Sequence, residues 1–443
     1  MITRQRTFRE YFLLICTLLA GFSFFASWIQ TFYFGKPTSA ILSFKADDGW
    51  CPSPGSGIGI HCFGDYYHPL FLHTHDQPDV YTPLGSAIFR PFFKFGYIFD
   101  SSKAGLIAYL GLGLISMFSI VLWAIQNTKS NRLLLLLLFG FLATPIAIAF
   151  DRGNSAMFAL PPLLIFCIAF SKKQWSMCVL AIVLATAVKP QYVLLVIPLL
   201  ATKKWRIILI SIGGVLLAQM MGFALLTQHP VLAFKIWGKN LKGYQNRLIS
   251  DLVFGGNFSF SQSFYDFSKV FERAFSGRNK NLSQFVYTHS TVLTILALLV
   301  ICLLVLLVGR HIGTLGALFI SLPLASFAPG VSWSYYQVFA VVLAAFLVTD
   351  HTQDGKSTDE SRIDHEVNTG SMGRPTAWFA IIATAITCFN LPLEADILPF
   401  YVGQYSISSA FVAPLWACVI FCVLKDAFKA TWLEKRATTL ASI

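Results

Sequence analysis

Asp65 stands between Gly64 and the pair Tyr66-Tyr67, with Pro69 close behind. A carboxylate held among aromatic side chains rather than in a polar run is set up to take a proton, as a general base does. Lys189 lies between two apolar stretches and precedes Pro190. An ammonium at membrane depth is costly unless it pairs or snorkels to the interface. As a point charge it is also a phosphate ligand. Arg152, in the turn Asp151-Arg152-Gly153-Asn154, has two partners open to it. It can grip a phosphate in bidentate fashion or pair with Asp151. Arg90, set among phenylalanines, is a weaker candidate for an anionic headgroup.

A fourth cluster closes the set, with Ser332, Trp333, Ser334, Tyr335 and Tyr336 in succession. His61, His68, His73 and His75 raise a metal site, with His73, His75 and Asp76 as its ligands. No C-x-x-C or H-E-x-x-H framework supports one, so no metal is expected. Neither a phosphate-binding glycine loop nor a nucleophile elbow is present, which argues against nucleotide-driven work within the chain. Cys51 and Cys62 share the loop that carries Asp65, and an oxidising compartment would let them close it with a disulfide or stay free.

The elements that position these clusters must be membrane helices. The chain has 443 residues, 56% of them hydrophobic and 12% charged, with 42 phenylalanines. A soluble domain carries about 25% charged residues. The mean hydropathy is +0.65. With roughly 20 apolar residues to a crossing, the apolar runs predict an all-α polytopic membrane protein of roughly 11–13 spans. It is read as a single membrane domain over 1–443. The net charge of +12 sets orientation and meets anionic headgroups rather than nucleic acid.

Arg4, Arg6 and Arg9 precede a first run at 11–34, which predicts a cytoplasmic N-terminus and an uncleaved helix. Residues 35–100 then form an extracytoplasmic loop whose end, 81–99, lies along the interface. Runs follow at 104–126, 133–150, 156–170, 175–188, 192–201 and 207–226, the fourth and fifth forming a hairpin around Lys189-Pro190. A large outer loop is expected at 227–290. Further runs fall at 291–308, 312–327, 336–348, 377–392 and 408–423, with a polar cytoplasmic loop at 350–374 and a basic tail beyond Lys425. This topology brings the four clusters to one face.

The order of the clusters resembles the GT-C membrane glycosyltransferases. More narrowly, it is similar to the bacterial polyprenyl-phosphate-sugar-dependent mannosyl- and arabinofuranosyltransferases. The resemblance rests on Asp65-Tyr66-Tyr67, Tyr81-Thr82-Pro83, Arg152-Gly153-Asn154 and Lys189-Pro190, followed by Lys203-Lys204-Trp205-Arg206. Asn257-Phe258-Ser259 and Ser332-Trp333-Ser334-Tyr335-Tyr336 complete it. Tyrosine stands where many mannosyltransferases carry histidine, which moves weight from mannose toward arabinofuranose.

The resemblance implies a plasma-membrane enzyme with an extracytoplasmic site and no cofactor. Its donor is a sugar on a polyprenyl phosphate, and its acceptor a cell-envelope glycan or glycolipid. Asp65 would be the base, with Lys189 and Arg152 on the leaving phosphate. Asn154, Tyr81 and Asn257 would bind substrate, and Tyr66, Tyr67, Trp333, Tyr335 and Tyr336 would meet sugar or phosphate. Two other classes fit the composition: a transporter or flippase of a lipid-linked or anionic substrate, and a non-catalytic membrane subunit. The first usually carries matched broken helices in two repeats, and this chain has one such break without a counterpart.

Overall fold

The computed structural model describes residues 11–22, 63, 65–66, 81–99, 102–128, 131–250, 259–274, 282–329, 332, 334–349, 372–389 and 407–441. Every regular element among them is helical. In hydrocarbon the backbone must satisfy its own hydrogen bonds, and a chain this apolar meets that demand with helices.

Among the described residues, four helices are long and apolar enough to cross a bilayer: Ala104–Gln126, Trp205–Leu226, Thr288–His311 and Phe411–Thr439. Arg132–Phe139 and Thr144–Phe150 form a fifth span bent by 52°. Six shorter apolar helices of 10–17 residues complete the apolar set among the described residues. These helices make the protein an all-α polytopic membrane protein, as the apolar runs predict.

The centre of the protein is the pair Thr314–Phe327 and Val338–Val348. Every residue of Val338–Val348 is buried, as is all of the first helix from Leu315 onward. Helices that are apolar on all sides belong inside a bundle. The outer helices do the opposite. Leu296, Leu299, Leu303 and Leu307 of Leu282–Val308 are all more than half exposed, as are Leu209, Leu216, Leu217 and Leu225 of Trp205–Leu226. These residues form the lipid-facing surface.

The helix expected within 81–99 runs over Pro83–Ile98 and docks on both Ser102–Gln126 and Trp205–Leu226. Glycines allow the contact: a side chain on Gly222 would collide with the backbone of Pro83 and Leu84, and one on Gly105 with the Phe92 carbonyl. The region 227–290 holds two helices, Pro230–Ser250 and Phe260–Ala274, before Leu282–Val308 begins. The last helix, Ile407–Ala441, continues through the basic stretch expected to be a tail. Its charged turns are tied down where Glu434 meets Arg310 at 2.6 Å and His311 at 2.9 Å.

Four stretches of irregular backbone meet in one region. The turn at Arg152-Gly153, the 3-10 pieces Ser155–Ala159 and Ser334–Gln337, and the break at Lys189-Pro190 are linked by direct packing and by contacts between their side chains. Non-helical backbone at membrane depth survives only where protein surrounds it or it lines a cavity.

Candidate active site

Asp65 is built into position from both sides. Its amide donates to the Arg152 carbonyl at 3.0 Å, and the Tyr66 amide donates to the Phe63 carbonyl at 2.9 Å. Beneath lies Gly153 with φ of +60°, where an added Cβ would stand 2.9 Å from the Tyr66 Cβ. Only glycine suits both that backbone and that approach.

The carboxylate itself receives three hydrogen bonds. Arg152 Nε donates to Oδ2 at 2.8 Å and Nη2 to Oδ1 at 3.2 Å, a bidentate fork. Asn154 Nδ2 donates to Oδ2 at 2.8 Å. The other end of the Asn154 amide accepts from the Ala156 amide at 2.9 Å and caps the 3-10 turn. Asn154 is fully buried, so its side chain positions Asp65 rather than presenting itself to a substrate. Asp65 and Arg152 keep 17% exposure each. Oδ1 accepts one of these bonds, and a carboxylate offers about four acceptor positions. The carboxylate thus retains capacity for a further partner. The partner of Arg152 is a carboxylate 87 positions away in the chain, a pairing not weighed from sequence. Burial lowers its pKa, but Asp65 and then Tyr335 more than offset that, holding the guanidinium above its ordinary value.

Lys189 sits where the helix Trp175–Val188 ends. Its backbone is extended, at φ −143° and ψ 127°, as the residue before proline must be. The carbonyls released by the break are satisfied from other helices. Thr82 Oγ1 donates to the Ala187 carbonyl. Gln219 Nε2 donates to the Thr186 carbonyl at 3.3 Å, while its Oε1 accepts from the Leu84 amide at 3.3 Å. The helix C-terminus contributes partial negative charge beside the ammonium.

The Lys189 side chain is 5% exposed. Its Nζ lies 4.4 Å from the Tyr81 ring centroid, 5.3 Å from that of Tyr336 and 6.0 Å from that of Tyr335. Aromatic faces within about 6 Å attract a cation and help offset the loss of water. The Arg152 Cζ lies 5.4 Å from the same Tyr335 ring, so one tyrosine joins the two cations. Lys189 is therefore enclosed rather than snorkelling outward. The site thus brings one carboxylate and two cations together around shared tyrosine rings.

Tyr81 ties three parts of the protein together. Its hydroxyl donates to the Asp65 carbonyl at 3.3 Å, its ring covers Lys189, and its own carbonyl accepts from Trp237 Nε1 at 2.8 Å. Tyr66 is 1% exposed and packs on Tyr109 at 4.9 Å between centroids, a core position rather than an open sugar platform. Tyr335 is also buried. Arg90 donates from Nη1 to the Leu226 carbonyl at 3.2 Å and caps that span instead of standing open to a headgroup. Tyr67, Asn257, Trp333, Cys51, Cys62 and the four loop histidines lie outside the described residues.

The sequence reading missed Thr82, Gln219 and Trp237. For Gln219 a signal was present, since a glutamine inside an apolar span needs a polar partner. For Thr82 and Trp237 the decisive feature is a contact across more than 100 positions, which no local pattern carries.

Residues 80–318, more than half of the chain, match the model of glycosyltransferase family 87. The match covers Tyr81, Arg152, Asn154, Lys189 and Trp237; Asp65 precedes it and Tyr335 follows it. No curated protein matches the chain, and no solved structure does.

Proposed function

The chain belongs to glycosyltransferase family 87, and from that premise we propose that it moves a mannosyl or arabinofuranosyl residue from a polyprenyl-phosphate donor. The acceptor is a cell-envelope glycan or glycolipid, met on the extracytoplasmic face of a bacterial plasma membrane. The observation that carries this reading is the meeting of Asp65 with Arg152 and Lys189, from three distant segments, around Tyr81 and Tyr335.

The chemistry follows from the charges. An acceptor hydroxyl approaches Asp65 and gives its proton to the carboxylate as its oxygen bonds to the anomeric carbon. The bond from that carbon to the phosphate oxygen breaks, and the phosphate leaves with the electron pair. Attack opposite the leaving group inverts the anomeric centre. Arg152 and Lys189 stabilise the charge that develops on the phosphate, and they do so from fixed positions. Arg152 divides its donors between Asp65 and the phosphate, and the Tyr81 and Tyr336 rings shift from Lys189 as the donor seats. Asn154 holds Asp65 throughout. A cationic pair meets the phosphate charge directly, so the reaction proposed here needs no cofactor.

The test is transfer of labelled sugar by the purified protein from mannosyl and arabinofuranosyl polyprenyl-phosphate donors, beside Asp65→Asn. Turnover by wild type with loss in the variant, while donor binding persists, supports the reading. Equal turnover by both removes Asp65 as the base. Absence of binding to either donor removes the donor class.

A further inference from the structure

The helix Pro230–Ser250 begins three residues after the span Trp205–Leu226 ends. Its composition changes along one exposed face. Val231, Leu232 and Phe234 in the first turn are 65%, 56% and 53% exposed. From the second turn the face becomes basic, with Lys235, Lys239 and Lys242 all exposed. Their spacing of four and then three places them in one row. The helix contains no Asp or Glu, so no acidic residue of its own neutralises the row. Its other face is held by the Trp237 ring against Phe223 and by the Trp237 bond to Tyr81.

We propose that this helix docks, through Lys235, Lys239 and Lys242, on anionic phospholipid headgroups of the leaflet at which the preceding span ends. Continuity fixes the place: a span end delivers the first turn to the interface, where exposed Val231, Leu232 and Phe234 enter the acyl boundary. Charge fixes the ligand, because three ammonium groups on a helix with no carboxylate of its own favour phosphates over neutral sugars. The row extends about 10 Å along the axis, at 1.5 Å per residue. Each lysine near an anionic bilayer surface contributes roughly a fivefold gain in association. The docked helix also holds Tyr81 through Trp237, so the headgroups anchor the rim of the site.

The test needs no sugar donor and stands apart from the transferase reading. Amide exchange over residues 230–250 is followed in the full-length protein in nanodiscs of zwitterionic lipid and of lipid with roughly one-third anionic headgroups. Anionic lipid is expected to slow exchange across this helix about tenfold, and added salt to reverse the effect. A variant carrying Lys235→Gln, Lys239→Gln and Lys242→Gln is expected to lose the difference, while the corresponding three arginine substitutions retain it. Exchange that ignores lipid charge in wild type overturns the proposal. So does a lipid response that survives the glutamine variant, which would place the contact elsewhere.

Discussion

Asp65 is held by a backbone bond to Arg152, a bidentate guanidinium and the Asn154 amide. Asp65→Asn keeps the shape and removes the proton acceptor. It is expected to lower kcat by about 10²–10⁴-fold, the usual range for a general base, measured by single-turnover transfer with donor binding read separately. Asn154→Ala removes both the bond to Oδ2 and the cap on Ala156. The cap alone is worth about 1 kcal/mol, so both a lower Tm and a lower kcat are expected. Wild-type stability with a lower kcat would confine Asn154 to orienting the carboxylate. Lys189→Met should leave the protein folded, since the tyrosine rings and helix end accept an apolar chain. It should weaken donor binding, because the phosphate loses a cation. Unchanged donor affinity by titration would remove Lys189 from the phosphate site.

Single contacts set how helices meet around these residues. Trp237 Nε1 donates to the Tyr81 carbonyl, while its ring packs on Phe223 and Phe234. Trp237→Phe preserves ring packing and removes the donor. A loss in kcat of about fivefold is expected, the equivalent of one neutral hydrogen bond of about 1 kcal/mol. A change confined to Tm, with kcat intact, would make the bond purely structural. Gly222 is a sharper case, because its missing side chain lets Trp205–Leu226 approach the start of Pro83–Ile98. Gly222→Ala forces backbone against backbone and is expected to cost about 1–3 kcal/mol. Thermal unfolding in detergent would read that cost.

The bundle turns apolar side chains outward to lipid as well as inward to its core. Leu299 is 60% exposed on a helix whose apolar window is only 17% buried. Leu299→Asp places a carboxylate in hydrocarbon at a cost of about 3 kcal/mol. Membrane insertion efficiency should fall, whereas Leu299→Phe should leave it unchanged. Equal insertion of both variants would mean that this face meets protein rather than lipid.

Composition alone determined that the chain is helical and membrane-embedded. With 12% charged residues it lacks the polar surface for water, and a bilayer admits helices or closed barrels. Local pattern also located Lys189 as a costly intramembrane cation and the Lys189-Pro190 break, because proline removes a donor and fixes its predecessor. Asp65 and Arg152 were legible as reactive types but not as partners. Their pairing spans 87 positions, and ion pairing depends on distance in space, which sequence spacing does not encode. The bend of 52° between Arg132–Phe139 and Thr144–Phe150 and the 3-10 turn at Ser155–Ala159 were not legible, because hydropathy does not register either. The enclosure of Lys189 by Tyr81, Tyr335 and Tyr336, and the link from Trp237 to Tyr81, were decided by tertiary structure alone. Each arises from side chains on separate helices, and only packing fixes which faces meet.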